Sequence, residues 1–202
     1  MVAAIASHYR SIEHLSLIHP GRCSHRHGDG GNFESFSSLC NLKTLHWVGL
    51  KASWDYISVL RDICKANEDH LTSLRLDFDP WHGSQATSTT RSDTQDARRS
   101  RPQSANMLVS GILSKIGTLA ALKTLSIRAG SLLDVSRNYA EVLNICQLRS
   151  LHLHKCDEST NFLTGLAAAA EKKHIYLSLT DFELVAGSGD QYELCVGRFL
   201  NT

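Results

Sequence analysis

The sequence predicts an α/β repeat solenoid, with parallel strands on a concave face and helices on a convex one. Three observations point there. An apolar triplet with spacing x-x and x between its members recurs along the chain. The intervals between copies are nearly regular. The segments between copies carry apolar residues three or four apart.

The triplets are Ile12-Leu15-Leu17, Leu42-Leu45-Trp47, Leu71-Leu74-Leu76, Leu122-Leu125-Ile127 and Leu148-Leu151-Leu153. A weaker sixth has His174 in first place, followed by Leu177 and Leu179. Copies therefore start at 12, 42, 71, 122, 148 and 174, at intervals of 30, 29, 51, 26 and 26. Such periods mark proteins built by stacking one supersecondary unit on the next. The long interval holds residues 80–104, rich in Ser, Thr, Gln, Asp and Arg and with no core residue after Trp81. That composition predicts a disordered or mobile insertion, whose removal brings 51 down to 26.

Between the triplets, Trp54, Ile57, Leu60 and Cys64 fall on one helical face. Met107, Leu108, Ile112, Leu113 and Ile116 form another; Tyr139, Val142, Leu143 and Cys146 a third; Phe162, Leu163, Leu166 and Ala170 a fourth. Ser53 and Ser159 are the expected N-caps. Neither a short strand nor its helix can bury an apolar face alone, so stacking must supply the core.

A strand–helix–strand connection makes consecutive strands parallel. Leu15, Leu45, Leu74, Leu125, Leu151 and Leu177 are expected to form one buried row across them. Residues between the leucines point the other way. The expected outward columns are His14, Thr44, Ser73, Thr124, Ser150 and Tyr176; then Ser16, His46, Arg75, Ser126, His152 and Ser178; then Ile18, Val48, Asp77, Arg128, His154 and Thr180. The alternative is an ordinary open α/β sheet, but no Gly-rich phosphate loop follows any strand.

The run from Leu148 to Cys156, Leu-Arg-Ser-Leu-His-Leu-His-Lys-Cys, resembles the L-x-x-L-x-L-x-x-N/C segment of leucine-rich repeats. Leu122 to Leu125 and Leu42 to Leu45 match its first half. The region from Ile12 to Phe182 is most similar to the irregular repeats of fungal-type F-box/leucine-rich-repeat proteins. That resemblance implies a module that holds the substrate of a ubiquitin ligase. Two departures stand out. At the ninth position, usually Asn or Cys, the chain has Pro20, Leu50, Asp79, Gly130, Cys156 and Phe182, so only Cys156 fits. The first copy begins at Ile12, which leaves no room ahead of it for an F-box.

Composition narrows the classes. The 202 residues are 42% hydrophobic and 20% charged, with a net charge of +1. So even a balance offers no field to gather a nucleic acid or a membrane surface. The start, Met1 to Ala6, lacks the basic flank of a signal peptide, and the longest apolar window, Met107 to Leu122, is broken by Lys115 and two glycines. Six cysteines form no CxxC. Cys64, Cys146 and Cys156 sit where a core aliphatic residue would do, and read as reduced thiols in the cytoplasm or nucleus.

Chemistry is sparse. Cys23, His25, His27 and Asp29 are potential metal ligands, but alternate residues of an extended chain diverge and Arg26 repels a cation, so this reads as a polar loop. Arg98, Arg99 and Arg101 read as a solvated cluster before a nuclear-import or phosphate-binding one. There is no G-x-S-x-G elbow, P-loop or HExxH; Ser188 lies in a Gly-Ser-Gly turn. No catalytic residue, metal site or cofactor is expected.

The function expected is therefore non-catalytic protein binding through the concave face. His46, Arg75, Asp77, Arg128, His152, His154 and Tyr176 are the candidate contact residues. Arg75, Arg128 and Tyr176 are of types favoured as anchors. The competing readings are a truncated, non-functional product of a larger gene and a hydrolase using surface histidines. The chain reads as one domain, 1–202, closed by a C-terminal cap, 183–202, in which Tyr192, Leu194 and Val196 alternate as a strand. At the other end Val2, Ile5 and Tyr9 offer a thin cover, so self-association through the N-terminal edge is expected.

Overall fold

Alternation of apolar and polar residues gives each strand two unlike faces, and stacking such strands in register makes one face of a sheet apolar throughout. The computed structural model describes residues 11–18, 39–50, 54–78, 119–130, 132, 143–144, 146–156, 159–174 and 176–185. In it, six strands form one all-parallel sheet in strictly sequential order. They are β1 (His14–Ile18), β2 (Thr44–Leu50), β3 (Ser73–Phe78), β4 (Thr124–Arg128), β5 (Ser150–His154) and β6 (Asp181–Val185). Two helices are described, α1 (Trp54–Ala66) between β2 and β3 and α2 (Ser159–Lys173) between β5 and β6. The chain is thus α/β, and the strand order never reverses, so no switch-point crevice divides this sheet.

The expected leucine row holds through five strands. Leu15, Leu45, Leu74, Leu125 and Leu151 are consecutive register partners, and so are Leu17, Trp47, Leu76, Ile127 and Leu153. From β2 to β5 these side chains are buried. Ile57, Leu60, Ile63 and Cys64 of α1 join the same core, as do Phe162, Leu163, Leu166, Ala167 and Ala170 of α2. Both helices therefore cover one face and leave the other open.

The sixth copy is corrected. Phe182 and Leu184, not Leu177 and Leu179, pair with Leu151 and Leu153. The true triplet is Leu179-x-x-Phe182-x-Leu184: α2, fifteen residues long, runs to Lys173, and the strand starts only at Asp181. Tyr176, Ser178 and Thr180 thus precede β6, and Asp181, Glu183 and Val185 take their expected places. A backbone ladder ahead of the strands agrees. Lys43 N–H donates to Glu13 O, Thr72 N–H to Lys43 O, Lys123 N–H to Thr72 O, Arg149 N–H to Lys123 O and Thr180 N–H to Arg149 O.

Two further expectations change. Leu143, assigned to a helical face, forms a parallel bridge with Leu119. Residues 183–185 of the expected cap end β6. Ser159 opens α2, and its hydroxyl donates to Cys156 O at 2.7 Å. Of the cysteines, Cys64 and Cys156 are buried, Cys146 is half-buried and Cys40 is exposed. The expected helix of Met107 to Ile116, Ser53, the insertion 80–104, Ser188, the cap residues 186–202, the N-terminal cover Val2 to Tyr9 and the Cys23–Asp29 segment lie outside the described residues.

The turns leaving β4 and β5 are alike. Ala129 and Lys155 follow their strands with φ of 54° and 53°, and their N–H groups donate to His154 O and Val185 O, both at 2.8 Å. Cys156, at the ninth position, donates its thiol to Ile127 O at 3.3 Å across to the preceding strand. Burial pushes the Cys64 thiol up to about 12, which keeps it protonated in the core.

Candidate functional site on the open face of the sheet

Register places the polar residues between the leucines in continuous rows. One row reads Ser16, His46, Arg75, Ser126, His152 and Glu183. The next reads Ile18, Val48, Asp77, Arg128, His154 and Val185. Six of the seven expected contact residues, His46, Arg75, Asp77, Arg128, His152 and His154, therefore share this face. Tyr176 does not belong to it; it is 83% exposed in the segment before β6.

The centre of the face is basic. Arg75 is exposed, and Arg128 Nη1 stands 3.6 Å from Asp77 Oδ2, a loose pair that leaves the guanidinium available to solvent. His46 lies beside them, with Nε2 buried and unpaired among the described residues. Burial first, then the Arg75 charge, hold its imidazole below the usual histidine value, with Asp77 opposing.

The β5–β6 end is acidic, and two of its residues escaped the sequence reading. Asp181 and Glu183 arrive with the corrected sixth strand. The spacing Leu179-x-x-Phe182-x-Leu184 was the signal that could have found them. His152 Nε2 stands 2.7 Å from Asp181 Oδ2, and Ser150 Oγ donates to the same oxygen at 3.1 Å. His154 Nε2 lies 3.1 Å from Glu183 Oε2, and His152 Nδ1 lies 4.0 Å from it. Hydrogen bonds from His152 and then Ser150 hold the Asp181 carboxyl below the ordinary carboxylate value.

Ser150, His152 and Asp181 contain the residue types of a nucleophilic triad without its geometry. In a triad the acid and the serine use opposite ring nitrogens. Here Ser150 Oγ, at 3.0 Å, and Asp181 both meet Nε2. A nitrogen that donates to Asp181 has no lone pair left to take the serine proton.

A half-open pocket lies at the strand entrances. It encloses about 400 Å³ and is lined by Ser11, Glu13, Asn41, Lys43, Asp69 and His70 among others. The 2.7 Å Lys43–Glu13 pair bridges it. No helix among the described residues is long and apolar enough to cross a membrane. No family model, curated protein or solved structure matches the chain.

Proposed function

We propose that the chain is an irregular leucine-rich-repeat solenoid that binds a protein partner on the open face of its sheet and performs no catalysis. One observation carries the reading. The leucine core occupies one side of six in-register strands, and the other side presents ordered, mixed-charge side chains with Arg75 and Arg128 at its centre. Strands fix such residues more tightly than loops do, and arginine is a favoured anchor in protein interfaces. The basic centre beside the acidic β5–β6 end suits a partner with the reverse order of charge. The resemblance to F-box/leucine-rich-repeat proteins supports a narrower version, in which the partner is the substrate of a ubiquitin ligase.

Site-specific photo-crosslinking tests this. A photoreactive residue at Thr124, on the open face, should capture a defined protein in cells. The same residue at Lys172, exposed on α2, should not. Identical capture from both positions, or none from Thr124, contradicts the proposal.

A further inference from the structure

We propose that His152, His154 and Glu183 form a site for a divalent transition metal of the zinc type, with Asp181 orienting His152 from behind. The two histidines are alternate residues of β5, so they project from the same face, and Glu183 comes from the paired position on β6. One ligand atom from each lies within 4.8 Å of the others. Ligands bonded to zinc at ~2.0–2.1 Å in tetrahedral array are about 3.3 Å apart. His154 Nε2 and Glu183 Oε2 already stand at 3.1 Å, and His152 Nδ1 is 4.0 Å from the same oxygen. A rotation of the half-exposed Glu183 carboxylate and a small one of either ring closes the set.

The independent observation is the hydrogen bond behind the site. Asp181 accepts from His152 at 2.7 Å, which places a ring proton on Nε2 and leaves Nδ1, 4.0 Å from Glu183 Oε2, as the ligand atom. A lone pair facing a carboxylate oxygen calls for a proton or a metal ion between them, and with a second histidine on the same carboxylate a metal satisfies all three groups at once. Ser150 in turn donates to Asp181 at 3.1 Å and fixes the carboxylate. Carboxylate–histidine–metal triads are built this way, the outer carboxylate setting tautomer and ring orientation. Two imidazoles and one carboxylate suit zinc better than calcium or magnesium, which prefer oxygen ligands. Three protein ligands leave the fourth position to water. The site stands on this geometry and does not depend on the partner-binding proposal.

Titration of the purified, metal-free full chain with zinc, by calorimetry under reducing conditions, tests the proposal, with cobalt as a spectroscopic probe. One zinc per chain is expected, with a tetrahedral cobalt spectrum lacking a thiolate charge-transfer band. His154→Ala and Glu183→Gln should each weaken binding at least tenfold. Asp181→Asn, which removes no ligand, should weaken it by ~10–100-fold. Glu183 is exposed, so Glu183→Gln should leave the circular dichroism unchanged and report on the site alone. No binding by the folded wild-type chain overturns the proposal. So does binding that the three variants leave intact, or a thiolate band, which would place the metal on cysteines.

Discussion

Asn67 and Leu42 lie 25 residues apart and meet through a 2.7 Å bond, the Leu42 N–H donating to Asn67 Oδ1. Asn67 Nδ2 also donates to Leu39 O at 2.5 Å and to Ile63 O at 2.7 Å, so one buried side chain ties the end of α1 to the entrance of β2. Asn144 stands at the matching place, four residues before Leu148, and donates to Ala120 O at 3.3 Å. The buried asparagine leaves more behind when it is lost, because unsatisfied buried groups cost ~1–3 kcal/mol each. Asn67→Ala should lower the unfolding free energy by about 3 kcal/mol or more in urea denaturation, and Asn144→Ala by about 1 kcal/mol. Equal losses would show that Asn67 is not the principal tie.

Gly130 and Ala129 should respond in opposite ways. A Cβ at Gly130 would meet Ile127 Cγ2 at 2.9 Å and the Phe78 ring at 3.1 Å, both in the buried core. Gly130→Ala should therefore cost about 1–3 kcal/mol. Ala129 already holds a left-handed φ of 54°, which penalises a side chain. Ala129→Gly should be neutral or stabilising by up to ~1 kcal/mol. Thermal denaturation of the two variants separates the effects, and a destabilised Ala129→Gly would contradict the assigned turn.

Much of this architecture is legible in the residues because apolar spacing reports burial directly. Five triplets specify five strands, and the faces of Ile57, Leu60 and Cys64 and of Phe162, Leu163 and Leu166 specify two helices. The sixth strand is misread because Leu177 and Leu179 sit at a tempting interval while α2 displaces the strand to Asp181–Val185. That error hides Asp181 and Glu183, and so hides the charged end of the open face. The roles of Asn67 and Asn144 are not legible either, since a side-chain bond to a neighbouring repeat leaves no periodic mark.

His46 gives the fold a pH dependence of definite sign. Its folded value lies below the ordinary one, so the unfolded chain binds more protons between the two. Stability from this group is then present above about pH 6.5 and is lost as pH falls through the folded value. His46→Gln should flatten the decline in stability between roughly pH 7 and 5. An unchanged slope would assign the decline to other histidines.

Edge strands should open first. Leu15 and Leu17 of β1, and Phe182 and Leu184 of β6, are only partly buried, whereas Leu74, Leu76, Leu125 and Ile127, in the same rows on β3 and β4, are buried. Ile18 is 72% exposed. Backbone amides of β1 and β6 should exchange with solvent much faster than those of β3 and β4. Uniform protection across the six strands would mean that both edges are firmly covered.

Charge reversal on the open face bears most directly on the proposed partner binding. Arg75→Glu with Arg128→Glu alters two exposed side chains and leaves the leucine core untouched. The measurement is the dissociation constant of the protein captured from Thr124, for wild type and double variant, with melting temperature as a control. Binding should weaken at least tenfold while the melting temperature stays within a few degrees. Unchanged affinity in a folded double variant would show that the partner does not dock on this face.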